Sequence, residues 1–220
     1  MPDLNFTIEG AEAVPYAASP LLHLKTNITS AGSRTEIQNI LLQCQIQIEP
    51  ARRHYLAGEK DNLRDLFGAP ARWSQTLHPI LWANSQLVVP PFHGEISTNV
   101  PLPCTFDFNV ASTKYFHGLE NGEIPICILF SGTIFYVEAD GSLQVAKIPW
   151  TQEVNYRLPV SIWKEMIDMY YPNTAWVCLP RDLFDQFQRY KVDRGIPTWD
   201  QAFESLLVDA EETAARKIGT

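Results

Sequence analysis

The sequence is poor in charge and lacks the short motifs that most chemistry requires. Charged residues make up only 19% of the 220, and 17 Lys and Arg against 25 Asp and Glu give a net charge of −8. A protein that grips nucleic acid must displace counterions from phosphates with clustered Lys and Arg. The longest basic run is Arg52-Arg53-His54, which argues against a nucleic-acid partner. That run is read as a solvated turn, with an anion grip as its alternative. No run of about 18 uninterrupted apolar residues occurs, so no membrane insertion is expected. The opening MPDLNFTIEG has neither the basic nor the apolar region of a secretory signal.

The catalytic vocabulary is equally thin. Neither GxxxxGK[ST] nor GxGxxG is present, so no glycine loop is predicted to cradle a nucleotide. Zinc needs clustered Cys and His, and there is no CxxC, HxxH or HExxH. The histidines at 23, 54, 78, 93 and 117 are scattered. Ser131-Gly132 lacks the preceding glycine of a nucleophile elbow. The acidic pairs Asp182/Asp185 and Glu211-Glu212 fall at a helix start and in a tail, where the helix dipole or solvent accounts for them. No catalytic residue, cofactor or metal ligand is therefore assigned. Four widely spaced cysteines, at 44, 104, 127 and 178, each sit in an apolar, strand-like run. Reduced thiols in a cytoplasmic protein are the expectation.

What is present is apolar patterning. Hydrophobic residues reach 45% and aromatics 11%, enough for a globular core. PLLHLKTNIT (20–29) alternates as a strand. In ILLQCQIQIEP, Leu42, Cys44, Ile46 and Ile48 point one way and Gln43, Gln45 and Gln47 the other, so one sheet face meets a core and the other is polar but uncharged. Residues 51–103 break this pattern. DNLRDLFGAP predicts a short helix stopped at Gly68, and the Pro- and Trp-containing passage after it reads as an insertion packed on the main domain. Alternation resumes at CTFDFNV (104–110), followed by a loop with Gly118 and Gly122. In IPICILFSGTIFYV, Gly132 marks a bulge or a close backbone approach. ADGS (139–142) predicts a hairpin turn and LQVAKI (143–148) its return strand.

The last third, about 160–210, is helical. Pro159 and Pro180 suit helix starts. Trp163, Met166, Ile167 and Tyr170 line one face, Leu183, Phe184, Phe187 and Tyr190 another. Thr198-Trp-Asp-Gln201 has capping-box spacing. Strands first and helices last predict a single α+β domain over 1–220 with an antiparallel sheet. Trp73, Trp82, Phe92, Tyr115, Phe116 and Trp150 lie outside the obvious core faces, forming either a second small core or an exposed binding patch.

ICILFSGTIFYV (126–137), LPVSIWKEMIDMYYPNTAWVCLP (158–180) and RDLFDQFQRY (181–190) together resemble the bacterial export chaperone SecB and its relatives. The similarity spans residues 4–50 and 104–190. It implies a four-stranded antiparallel sheet with helices on one face, here with a large insertion at about 51–103. It also implies homo-oligomers and cofactor-free holding of non-native polypeptide in apolar grooves. LRDLFGAPARW (63–73) and IPTWDQAFESLL (196–207) resemble an uncharacterised bacterial family associated with actinobacterial-type nickel–iron hydrogenases. The combined expectation is a non-enzymatic chaperone or assembly factor, possible clients including a hydrogenase subunit, with Trp82, Phe92, Trp150 and Trp176 binding polypeptide. Its rivals are a structural subunit or adaptor for one dedicated, folded protein partner, and an enzyme whose site is assembled from distant residues.

Overall fold

The computed structural model describes residues 2–31, 36–105, 110–138, 140–174 and 179–218. It divides into two units, Met1–Asn173 and Thr174–Thr220.

Alternation builds the first unit. Its strands are β1 (Asp3–Ala13), β2 (Leu21–Ala31), β3 (Glu36–Ile48), β4 (Ile80–Val89), β5 (Glu95–Pro103), β6 (Glu123–Val137), β7 (Leu143–Lys147) and β8 (Glu153–Pro159). They form two antiparallel sheets, β1-β2-β5 and β4-β3-β6-β7, with β8 also pairing with β6. On β3 the period-two reading holds: Leu42, Cys44, Ile46 and Ile48 are buried, while Gln43 is exposed and Gln45 and Gln47 are half-buried. The inner rows of both sheets share one core, in which Phe6 of β1 stacks on Phe130 of β6 at 4.3 Å.

The α+β class and antiparallel pairing are those expected. Where one four-stranded sheet with an insertion was expected, residues 80–103 instead supply a strand to each of two sheets. β4 runs along β3 from Ile40↔Val89 to Ile48↔Ile80, and β5 runs along β2 from Leu21↔Pro103 to Thr29↔Glu95. Pro79, Pro90 and Pro91 lie beside these strands, and Pro101 and Pro103 are at the end of β5, where an edge strand tolerates missing donors.

Short helices α1 (Ala57–Asn62), α2 (Arg64–Phe67) and α3 (Trp73–Thr76) precede β4, and Gly68, at φ 74°, ends α2 as the sequence indicated. Helix α4 (Val110–Gly118) replaces the loop expected there, and Val110 begins it rather than ending a strand. Ser112, Tyr115, Phe116 and Leu119 recur at helical spacing and are buried. Phe106 and Phe108, read as strand, lie outside the described residues. Helix α5 (Val160–Tyr170) buries Trp163 and Met166, and its Tyr170 hydroxyl donates to the Val14 carbonyl at 2.7 Å.

Gly132 explains itself. A Cβ there would run into the Leu41 carbonyl of β3, and its φ of 144° is one that side chains disfavour. The anticipated close backbone approach is the reason for the glycine.

The second unit contains α6 (Arg181–Asp193) and α7 (Trp199–Ile218). Pro180 precedes α6, and the Thr198 hydroxyl accepts the Gln201 N–H at 3.3 Å. Phe187 packs between Phe203 at 4.5 Å and Trp199 at 5.4 Å.

Candidate functional site: the outer sheet face

The four residues expected to bind polypeptide do not come together on a surface. Trp82 is 2% exposed. The β3–β4 register steps from Ile46↔Ala83 to Gln47↔Leu81, which leaves Trp82 as the extra residue of a bulge. That bulge turns the indole inward against Phe116 at 4.7 Å, and Phe116 stacks in turn on Trp163 at 4.9 Å. Phe92 is buried too. Its backbone exchanges hydrogen bonds with Ile37 at 3.0 and 3.2 Å, which fixes the ring over the core. Trp176 lies outside the described residues. Of the four, Trp150 alone is placed at the surface, 88% exposed.

Of the six surplus aromatics, Trp73, Trp82, Phe92, Tyr115 and Phe116 join the one main core rather than a second small one, and Trp150 stays at the surface. Trp73 and Tyr115 are buried, and Tyr55 meets both edge-on, at 5.1 and 6.4 Å. Trp73 donates its indole N–H to the Gly68 carbonyl at 3.0 Å, and the Tyr55 and Tyr115 hydroxyls are 2.9 Å apart.

Within the Arg52-Arg53-His54 run, Arg52 and His54 are exposed as a solvated turn would leave them, but Arg53 departs from both readings. Its guanidinium pairs with Glu59 at 2.6 Å, the two side chains being 7% and 0% exposed. It also donates to the carbonyls of Asn121 and Glu123 at 2.6 Å. Glu59 accepts the N–H groups of Leu56 and Glu120 at 3.0 and 2.9 Å. Burial pushes the Glu59 carboxyl upward, but those N–H groups and the guanidinium outweigh it and hold the group below its ordinary value. This pair ties the chain after β3 to the start of β6. It is a structural joint, invisible to spacing because its acceptors lie some 70 residues away in sequence.

Little else is positioned for chemistry. Cys44, Cys104 and Cys127 are free and buried, and burial pushes the first two thiols up to about 12, so they stay protonated. Among the described residues no group of three or more His, Cys, Asp or Glu is placed to hold a metal, and no helix is long and apolar enough to cross a membrane.

A run of adjacent exposed apolar side chains of the first unit lies elsewhere, on the outer face of the five-stranded sheet. Leu41 of β3 is 47% exposed and pairs directly with Val88 of β4, 63% exposed. Opposite Leu41 on β6 is Thr133, and the next outward residues, Phe135 and Val137, are half-buried. They pair with Val145 and Leu143 of β7, both well exposed. Direct and diagonal neighbours on a sheet face touch, so these six side chains form one patch. Beside it run uncharged rows, Gln86–Gln43–Ser131 and Asn84–Gln45–Leu129. Sequence reasoning found the uncharged glutamine row but not the apolar patch. Its signal was available in the outward positions of FSGTIFYV and LQVAK, once the pairing of β6 with β7 is known.

Residues 1–215 match the family of unknown function DUF6084, and the chain belongs to that family. No curated protein matches it. Among solved structures it is similar to the ApaA protein from Bordetella pertussis, at 15% identity over 72% of this chain and 95% of that one, with a TM-score of 0.25. It is also similar to β-glucosidase 3B from Thermotoga neapolitana, at 10% identity over 71% of this chain and 17% of that one, again with a TM-score of 0.25. Likenesses at that level carry no functional inference.

Proposed function

We propose that this protein is a non-enzymatic polypeptide-binding factor of the chaperone or assembly type, and that its outer sheet face holds a short, apolar, uncharged segment of an incompletely folded client. The carrying observation is the contiguous patch of Leu41, Val88, Phe135, Val137, Leu143 and Val145 beside uncharged glutamines. On a chain of net charge −8, a patch whose six side chains are all apolar favours apolar clients over ionic ones, with Lys147 and Glu36 at its margins opposite Thr133 and Val137. Six side chains fall well short of the roughly 20–30 residues a side that a stable interface with a folded protein uses. Apolar burial at about 25 cal/mol per Å² over so small an area supports weak, reversible holding. A cytoplasmic site of action is part of this reading, supported by the free, protonated thiols.

The test is suppression of aggregation of a chemically unfolded model protein, without nucleotide. Wild type is expected to delay aggregation, and Leu41→Lys with Val88→Lys to abolish the delay while leaving the melting temperature unchanged. No delay by the folded wild-type protein overturns the holding function and leaves the face to a dedicated folded partner.

A further inference from the structure

The strand edge beside this patch is open, and its chemistry is matched to itself. Among the described residues strand β7 pairs only with β6. At one end of their ladder Glu138 N–H donates to the Ser142 carbonyl at 3.0 Å, and at the other Ile148 N–H donates to the Gly132 carbonyl at 3.1 Å. Hydrogen-bonded pairs alternate in an antiparallel ladder, so Gln144 and Ala146 face β6 through the backbone. The N–H and C=O groups of Leu143, Val145 and Lys147 therefore point to the opposite side. No backbone partner meets them there among the described residues. The strand is exposed along most of its length, with Leu143 at 62% and Val145 at 58%. An exposed, unpaired edge with apolar side chains is a template for another strand.

Edges are ordinarily blunted by lysine, and β7 has one, but Lys147 is at the strand's end, with its Nζ on the Thr133 hydroxyl at 2.6 Å. At the other end is the hairpin turn carrying Glu138 and Asp140, with Gly141 at φ 83°. A strand that is acidic at one end and basic at the other complements an antiparallel copy of itself.

We infer that β7 pairs with β7 of a second copy of this chain, antiparallel about a two-fold axis through Val145. In this register Leu143 lies opposite Lys147 of the other copy, and each lysine comes toward the other copy's hairpin turn, where Asp140 accepts the Ser142 N–H at 2.9 Å. Val145 meets Val145, so the two apolar patches join across the seam into one continuous face. The turn at Pro149–Gln152, which carries the exposed Trp150, then extends toward the other copy's hairpin. The inference does not rest on the client-holding reading, because it uses the backbone edge and that reading uses the side chains of the face.

The experiment is sedimentation velocity from about 1 to about 200 μM, the range over which small interfaces dissociate. Wild type is expected to pass from 25.0 kDa to twice that mass as concentration rises. Val145→Pro deletes an N–H that faces away from β6, so it spares the ladder and should weaken dimerisation at least tenfold. Lys147→Glu should weaken it as well, and Lys147→Glu combined with Asp140→Lys should restore it. Circular dichroism identifies any variant that has lost its fold. If Val145→Pro unfolds the chain, the charge reversal and its rescue decide alone. A wild-type monomer at every concentration overturns the pairing. So does a dimer that tolerates both single variants, or one lost only in Leu41→Lys with Val88→Lys, which would be a face-to-face contact. The aggregation assay is read separately, so either proposal can fail without the other.

Discussion

Trp73, Trp82 and Phe92 are all buried, whereas in the unit Thr174–Thr220 Phe184, Trp199 and Phe203 remain 41%, 38% and 43% exposed. Both stretches are rich in large apolar side chains, the first expected to carry part of a binding surface and Phe184 of the second expected to line a packed helix face. They differ in how many neighbours their secondary structure supplies. A residue on β4 has β3 alongside and a helix and second sheet over its inner face, so a ring such as Trp82 is enclosed on all sides. Two helices in a hairpin share one line of contact, and each ring buries only the side turned to that line. Exposure of apolar rings on such a pair follows from its geometry and does not by itself identify a partner.

The comparison can be broken most forcefully by replacing residues 56–98 with a Gly/Ser linker. As an insertion on a finished scaffold, the segment would be dispensable. As the source of all of β4 and of Glu95–Thr98 in β5, it is required by both sheets. The expected product is insoluble or lacks a cooperative melt by near-ultraviolet circular dichroism, and a soluble, sharply melting protein would return the segment to the status of an insertion.

Ion pairs sharpen the same contrast. Arg53–Glu59 is sealed from solvent, while Arg194–Asp209, at 2.8 Å, has side chains 47% and 44% exposed. Glu59→Gln leaves a buried guanidinium without its counter-charge and is expected to cost about 3–5 kcal/mol in urea unfolding, whereas Asp209→Asn should cost less than about 1 kcal/mol. The pH dependence has a definite sign. The folded Glu59 carboxyl is held below its ordinary 4.5, so its stabilisation is complete above that pH and is lost as pH falls through the lower folded value. Wild type and Glu59→Gln should therefore converge in stability as the solution is acidified below about pH 4.5, and parallel curves there would show that the carboxylate charge is not what matters.

Tryptophan truncations give the finest comparison. Trp82→Ala should cost about 3–5 kcal/mol, because the cavity opens beneath Phe116 and cannot collapse. Trp199→Ala, which already faces solvent on one side, should cost about 1 kcal/mol. Equal losses would mean that the helical unit is as tightly enclosed as the sheets.

Local chemistry was enough to read the outward glutamines and inward Cys44 and Ile46 of β3, the turn after β6, the close approach at Gly132 and the starts of the three long C-terminal helices. Each depends on side-chain periodicity, on a proline or hydroxyl at a helix start, or on a glycine's conformational freedom, and these act within a few residues. The fate of Trp82, Phe92 and Arg53 was decided at longer range. Trp82 is buried because the Ile46↔Ala83 pairing forces a bulge at that position, Phe92 because its backbone bridges to Ile37, and Arg53 because the carbonyls of Asn121 and Glu123 meet its guanidinium. The outer patch arose the same way, from the register that sets Leu41, Phe135 and Val145 side by side. Periodicity determines which way a side chain points from its own strand, but only the pairing of distant strands determines what it points at.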